Sequence, residues 1–150
     1  MRLARATCGR SLVCATTAPV KPHCSTILTG AKYIQAAAPT WLVAVRAAES
    51  KKAADTQVLD LRGVTSFADF FVIATGANPR QVQAISDEVG LQLKRQAGQL
   101  PYSVEGYTQA EWVLADYGDL LVHIFSPKAR EYYSLDRLWR SARTVEIPPE

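Results

Sequence analysis

Cysteine is scarce in this sequence and confined to its start, at Cys8, Cys14 and Cys24. The chain beyond them has none, which excludes a disulfide scaffold or a cysteine zinc site there. The three cysteines are loosely spaced and only His23 lies near them, so they make a poor metal site. No apolar run approaches the roughly 18–20 residues of a membrane-spanning helix, and the sequence therefore predicts a soluble protein.

Acidic residues are missing from residues 1–48, and the first carboxylate is Glu49. That segment holds six of the 17 basic residues, which leaves 11 basic against 14 acidic residues in the rest of the chain. A mildly acidic domain gains little from counterion release on phosphate backbones. The charge distribution therefore disfavours generic nucleic-acid binding and favours a basic protein as the partner.

Residues 1–38 form a leader rich in arginine, serine and threonine. This composition is typical of an organelle transit peptide. Sequence upstream of the natural start codon, or a disordered extension, are the open alternatives. We expect one domain over residues 39–143 and a C-terminal tail over residues 144–150.

Residues for catalysis are also few, since His23 and His123 are the only histidines. His123 falls within a predicted strand and has no nucleophile near it in sequence, which favours a structural or interface role. No Walker loop, dinucleotide fingerprint, serine-hydrolase elbow or zinc-protease motif is present. Residues 76–80 could offer backbone N–H groups to a phosphate, but helix capping explains the same residues. We therefore expect no enzymatic activity, no cofactor and no metal.

The apolar periodicity predicts an α-β-β-α-β-β-β-α order and a fold of the α+β class, with a mixed five-stranded sheet flanked by helices. The clearest element is the second helix, with Asn78 as N-cap, Pro79 at its first position and Gln81 completing a capping box. Its apolar stripe is Val82, Ile85, Val89 and Leu93, and Gly98 ends it. The other predicted elements are a helix over 40–54 capped by Thr40, strands over 56–61, 70–75, 102–105, 112–116 and 119–125, and a helical segment after Ser126 with Tyr132, Leu135, Leu138 and Trp139 on one face.

The last two strands form a predicted hairpin with Tyr117 and Gly118 as its turn. This register pairs Asp116 with Asp119, Leu114 with Leu121 and Trp112 with His123, all on one side of the sheet. The opposite side is uniformly apolar and is the predicted core: Val113, Ala115, Leu120, Val122 and Ile124.

The mixed side of the hairpin has the composition of a protein interface. A tryptophan flanked by carboxylates is typical of an interface centre with a polar rim. Two facing aspartates repel each other mildly, and a basic partner would relieve that repulsion. The alternative is that Trp112 and Leu114 pack beneath a loop or helix, and that Asp116 and Asp119 are turn residues.

Several motifs occur together in order: L-D-L-R-G (59–63), S-F-A-D-F-F-V-I-A-T-G (66–76), Arg80, V-E-G (104–106), W-V-L-A-D-Y-G-D-L-L-V-H (112–123) and Y-x-L-x-x-L-W (133–139). Together they closely resemble the ribosomal silencing factor family, also called RsfS or Iojap, over about residues 40–142. The resemblance implies a nucleotidyltransferase-like fold without a working active site. In agreement, Gly76-Ala77-Asn78 lacks the serine of a true nucleotidyltransferase, and no D-x-D pair follows.

The resemblance implies binding to large-subunit ribosomal protein fourteen, steric blocking of small-subunit joining, and repression of translation. Organelle relatives act in large-subunit assembly. The family's contact centres on the strand with the tryptophan, which carries over to Trp112, with Asp116, Tyr117 and Asp119 beside it. Leu114 and His123 complete the predicted partner-binding set. Arg80 and Tyr133 match family motifs too, with solvation of the helix start and core packing as their alternatives.

Three expectations remain open to alternatives. The expected location is the cytoplasm, on the ribosome, or a mitochondrion or plastid if the leader is a transit peptide. The rival functions are a large-subunit assembly factor without inhibition, and a nucleotide-binding or nucleotidyltransferase-like enzyme. We expect no membrane and no sequence-specific nucleic-acid contact, while a homodimer through an exposed sheet edge is an open alternative.

Overall fold

A computed structural model describes residues 38–149 of the chain. In this part of the chain the helices are α1 (Thr40–Ser50), α2 (Pro79–Ala97), α3 (Pro127–Tyr133) and α4 (Leu135–Leu138). The strands are β1 (Ala54–Asp60), β2 (Phe70–Thr75), β3 (Ser103–Glu105), β4 (Trp112–Asp116), β5 (Leu120–Phe125) and β6 (Arg143–Val145). Among these residues, no helix combines the length and apolar character needed to cross a bilayer.

The strands form one mixed sheet in the order β3-β4-β5-β2-β1-β6. Strands β2 and β5 run parallel, and the other neighbouring pairs are antiparallel. The predicted α+β class with a mixed sheet is confirmed, but the sheet has six strands rather than five. The additional strand β6 overlaps the predicted tail, since Thr144 pairs with Leu59 and Val145 with Val58. The relation to the nucleotidyltransferase fold stays a prediction.

Helix α2 begins and ends as predicted, because its signals are local. The Asn78 side chain accepts a hydrogen bond from the Gln81 backbone N–H at 2.9 Å. The Gln81 side chain in turn accepts from the Ala77 N–H at 2.8 Å, one residue before the position that a standard capping box uses. Gly98 ends the helix with a φ of 66°. The predicted stripe of Val82, Ile85, Val89 and Leu93 is buried.

The first and last predicted helices differ from the structure. Thr40 is the first residue of α1 rather than its cap, and the helix ends at Ser50. The C-terminal segment consists of two short helices, because Ser134 between them has a φ of 44° and stops α3. Tyr132 and Leu138 are exposed whereas Leu135 is buried, so the prediction of one helical segment with these side chains on a single face is wrong.

The sheet has an apolar cluster on each side. Helices α1 and α2 cover one side, where Val113, Ala115, Leu120, Val122 and Ile124 are buried as predicted. On the other side, a smaller cluster lies beneath the C-terminal segment: Leu59, Leu61, Ala68, Phe71, Ile73, Phe125, Ala129 and Leu135, with Trp112, Leu121, Trp139 and Ala142 partly buried against it. This second side is the one that the sequence analysis assigned to binding.

Candidate docking surface

The β4–β5 hairpin has a register two residues away from the predicted one. Trp112 pairs with Phe125, Leu114 with His123 and Asp116 with Leu121. The turn lies at Gly118 and Asp119, so the predicted facing of Asp116 and Asp119 is wrong. Because side chains alternate with a period of two, a shift of two leaves every side chain on its predicted side. The side chains of Trp112, Leu114 and Asp116 therefore still lie on the side of the sheet that faces away from helices α1 and α2.

The two aspartates of the hairpin have different environments. One carboxylate oxygen of Asp116 accepts a hydrogen bond from the Gly118 N–H at 2.7 Å. Gly118 has a φ of 89°, which glycine adopts without steric cost. Asp119 is exposed in the turn, and its backbone carbonyl accepts from the Asp69 N–H at 2.8 Å. The geometry gives Asp116 a turn-stabilising role and leaves the Asp119 carboxylate open to solvent.

Trp112 is partly buried and is held by aromatic neighbours. Its ring stacks on Phe125 with centroids 5.2 Å apart, and the Tyr133 ring lies 4.7 Å away. The indole Nε1 donates a hydrogen bond to His123 Nδ1 at 3.3 Å. These contacts fix the indole in one orientation while part of it stays accessible.

His123 lies beneath the indole and is 6% exposed. The centroid of the Phe71 ring is 4.7 Å from that of the imidazole, and the two ring planes meet at 64°. Burial lowers the pKa of His123 to about 4, so the imidazole is neutral at neutral pH. Little of the imidazole is therefore accessible in the free chain, and its predicted contact with a partner stays a prediction. The histidine accepts the hydrogen bond that orients Trp112.

Tyr117 is also withdrawn from the surface and is 5% exposed. The alternation of β4 places it with Val113 and Ala115 on the core side, where its hydroxyl lies close to Gly90 of α2. Burial raises the pKa of the Tyr117 hydroxyl. Tyr117 therefore occupies a core position in the free chain, and its predicted partner contact stays a prediction.

The accessible part of this side is termed the docking surface and consists of Trp112, Leu114, Asp116 and Asp119. It continues onto the edge strand β3, where Glu105 pairs with Leu114 and is exposed. No lysine or arginine occurs between Arg95 and Lys128, whereas Glu105, Glu111, Asp116 and Asp119 all fall in that stretch. A surface with one sign of charge attracts an oppositely charged partner over several ångströms.

An aromatic cluster extends from the docking surface across the sheet. Its rings are Phe67, Phe71, Trp112, His123, Phe125, Tyr132, Tyr133 and Trp139, and each has a neighbouring ring at a centroid distance of at most 6.1 Å. Phe67 is 58% exposed and Tyr132 is 81% exposed. The position of Phe67 on this side was not predicted from the sequence. Its position in a loop, without strand periodicity, gives no signal for it.

The start of α2 offers few free donors to a phosphate. Two of its backbone N–H groups, those of Ala77 and Gln81, already donate to side chains of the same turn. Arg80 is exposed there. Within residues 38–149, no three histidine, cysteine, aspartate or glutamate side chains form a group that could hold a metal ion.

A family model described as "Ribosomal silencing factor during starvation" matches residues 34–150. The chain is 42% identical over 112 residues to the ribosomal silencing factor RsfS of Halalkalibacterium halodurans, covering 70% of this chain and 89% of the relative. It is 35% identical over 106 residues to the chloroplastic protein Iojap of Zea mays, covering 69% of this chain and 44% of the relative. The chain belongs to the ribosomal silencing factor family.

Two solved structures have a similar fold. A crystal structure from Bacillus halodurans superposes with a TM-score of 0.61 at 42% identity, covering 69% of this chain and 93% of that one. A crystal structure from Chromobacterium violaceum gives a TM-score of 0.63 at 35% identity, covering 72% of this chain and 88% of that one.

Proposed function

We propose that this chain silences ribosomes by binding large-subunit ribosomal protein fourteen and blocking the joining of the small subunit. Translation falls because a large subunit that carries the factor cannot form a complete ribosome. Such a mechanism is steric and requires no catalytic group. Family membership and the names of the bacterial relatives, which are ribosomal silencing factors, support it.

One observation carries the proposal: Trp112 is partly accessible on a surface that also carries the carboxylates of Asp116 and Asp119. Buried aromatic side chains contribute most of the affinity in many interfaces when the partner excludes water from them. The contacts with Phe125 and His123 hold the indole in place before binding, which lowers the entropy that binding costs. Leu114 would extend the apolar centre, and Asp119 would lie at its polar rim.

The charge of the surface matches a basic partner. Asp116 and Asp119 lie at the β4–β5 turn, and Glu105 is exposed on β3 beside them. Carboxylates at the rim of an interface mainly raise the association rate and make it sensitive to salt. We therefore expect binding to large subunits to weaken as the salt concentration rises, with the association rate changing more than the dissociation rate.

Replacing Trp112 tests the proposal. Trp112→Ala should weaken binding to large subunits by at least ~2 kcal/mol, about thirtyfold, and should abolish inhibition of subunit joining. Trp112→Phe, which keeps an aromatic ring, should retain more affinity. Leu91→Ala is a matched control, because Leu91 is an exposed apolar residue on α2, at the other side of the sheet.

Co-sedimentation with large subunits measures the affinity, and sucrose-gradient sedimentation of mixed subunits measures joining. Unchanged co-sedimentation of a folded Trp112→Ala protein would refute this docking surface. Binding without inhibition of joining would instead identify an assembly factor. Calorimetry with ATP and Mg²⁺ addresses the nucleotide-binding alternative, for which our proposal expects no heat of binding.

We further propose that the protein works in the cytoplasm, where bacterial ribosomes reside. Curated relatives with chloroplastic and mitochondrial names keep an organelle as the alternative. N-terminal sequencing of the natural mature protein separates the two. Loss of most of residues 1–38 would identify the leader as a transit peptide.

A further inference from the structure

Beside Trp112, a small cavity of about 250 Å³ opens between α3 and the start of β4. Its lining residues are Glu111, Ser126, Lys128, Ala129, Tyr132 and Tyr133, and it is termed the tyrosine notch. Pockets for drug-sized ligands occupy roughly 300–1,000 Å³. The tyrosine notch is therefore sized for a single long side chain.

The side chains of Tyr132 and Tyr133 both line the notch. Their centroids are 5.1 Å apart and their planes are nearly perpendicular, at 86°. Tyr133 also contacts Trp112, which fixes its ring, whereas Tyr132 is 81% exposed. Aromatic faces arranged at a corner attract a cation through the negative potential above each ring.

Glu111 adds a negative charge at the notch. Its backbone carbonyl accepts a hydrogen bond from the Ser126 N–H at 2.8 Å, which holds this residue at the start of α3. Its carboxylate is in an exposed residue and forms no ion pair with any residue that the structure describes. Lys128 lines the same cavity without pairing with it.

We propose that the tyrosine notch receives one arginine or lysine side chain of the ribosomal partner. This inference rests on the proposed function and names the partner chemistry next to the docking surface. The cation would stack on Tyr132 and Tyr133 and pair with the Glu111 carboxylate. Lys128 places a competing positive charge at the notch, so it weakens binding of such a partner.

Four variants, tested for affinity to purified large subunits, distinguish a specific cation site from nonspecific binding. Glu111→Gln should weaken binding about threefold to tenfold, and Tyr132→Leu should weaken it by a similar factor. Tyr132→Phe should stay within about twofold of the original affinity, because the ring face remains. Lys128→Gln should strengthen binding about twofold to threefold.

Matched controls lie away from the notch. Glu146→Gln removes a carboxylate beyond β6, and Lys94→Gln removes an exposed lysine from α2. Both should change affinity less than their counterparts in the notch. If Glu111→Gln and Glu146→Gln weaken binding equally, the affinity depends only on the net charge of the protein and the proposal is overturned.

Other outcomes also decide the matter. If Lys128→Gln weakens binding and Glu111→Gln strengthens it, the notch holds an anionic group and the inference is wrong. If Tyr132→Leu and Glu111→Gln are neutral while Trp112→Ala abolishes binding, the notch has no role but the docking surface stands. If Trp112→Ala is neutral as well, the proposed function fails at this surface.

Discussion

The buried His123 makes stability depend on pH in a way that one substitution can isolate. Burial lowers its pKa from 6.5 to about 4. The unfolded chain therefore binds a proton at a higher pH than the folded chain does. The contribution of the neutral, buried His123 to the free energy of unfolding is complete above pH 6.5. It is lost as the pH falls through the window from 6.5 to 4.

The expected decrease in the free energy of unfolding follows from those two pKa values. It is about 2 kcal/mol between pH 7 and pH 5, and about 3 kcal/mol over the whole window from pH 6.5 to pH 4. Protonation would also remove the lone pair on Nδ1 that accepts the hydrogen bond from Trp112. The tryptophan fluorescence of the folded protein should therefore change around pH 4, where His123 of the folded chain gains its proton.

Urea unfolding at pH 7 and pH 5 measures this effect in the original protein and in His123→Gln, which has no titrating group at this position. From pH 7 to pH 5, the free energy of unfolding should fall by about 2 kcal/mol more in the original protein than in the variant. Asp60 does not interfere, because Arg62 beside it lowers the pKa of its carboxyl to about 2, below the range. Equal pH dependence in the two proteins would show that His123 titrates normally and is not desolvated.

Three further substitutions and one control address the fold, and urea unfolding at pH 7 measures all four. Asn78→Ala removes the cap of α2 and should cost about 1 kcal/mol, whereas a cost near zero would contradict the capping role. Gly106→Ala would place a Cβ 2.0 Å from the Trp112 carbonyl oxygen at a φ of 74°, and should cost at least about 2 kcal/mol. Gly63→Ala is its control, since φ is positive there but no atom lies within 4 Å, so it should cost less. Leu93→Ala, in the core, should cost about 2–5 kcal/mol, and a smaller loss would mean that the site collapses around the cavity.

Local chemistry explains which elements the sequence predicted well. Helix α2 has a capping side chain, a proline at its first position and a glycine after its end, so its bounds depend on few distant contacts. Strand β2 is a continuous apolar run, and its predicted bounds were correct. Strand β6 has only three residues and is stabilised by pairing with β1, so its own sequence contains no signal.

Strand alternation, which is also a local signal, predicted the side of the sheet on which part of the candidate site lies. Alternation along β4 assigned Trp112 and Leu114 to the correct side, even though the turn was misplaced by one residue and the pairing of the strands therefore by two. Tyr117 was taken as a turn residue, but it continues the same alternation into the core. The burial of His123 depends on Phe71 and Trp112, which are brought together only by the tertiary fold.

The parallel pairing of β2 with β5 has a consequence for the order of events during synthesis. Phe70 pairs with Leu120, so the two strands become neighbours only after α2, β3 and β4 have been made. Contacts between residues far apart in sequence slow folding, because closing a long loop costs entropy before the contacts form. A nascent chain that ends before β5 keeps the apolar strand β2 without one of its neighbours, and no shorter fragment of the domain can complete the centre of its sheet.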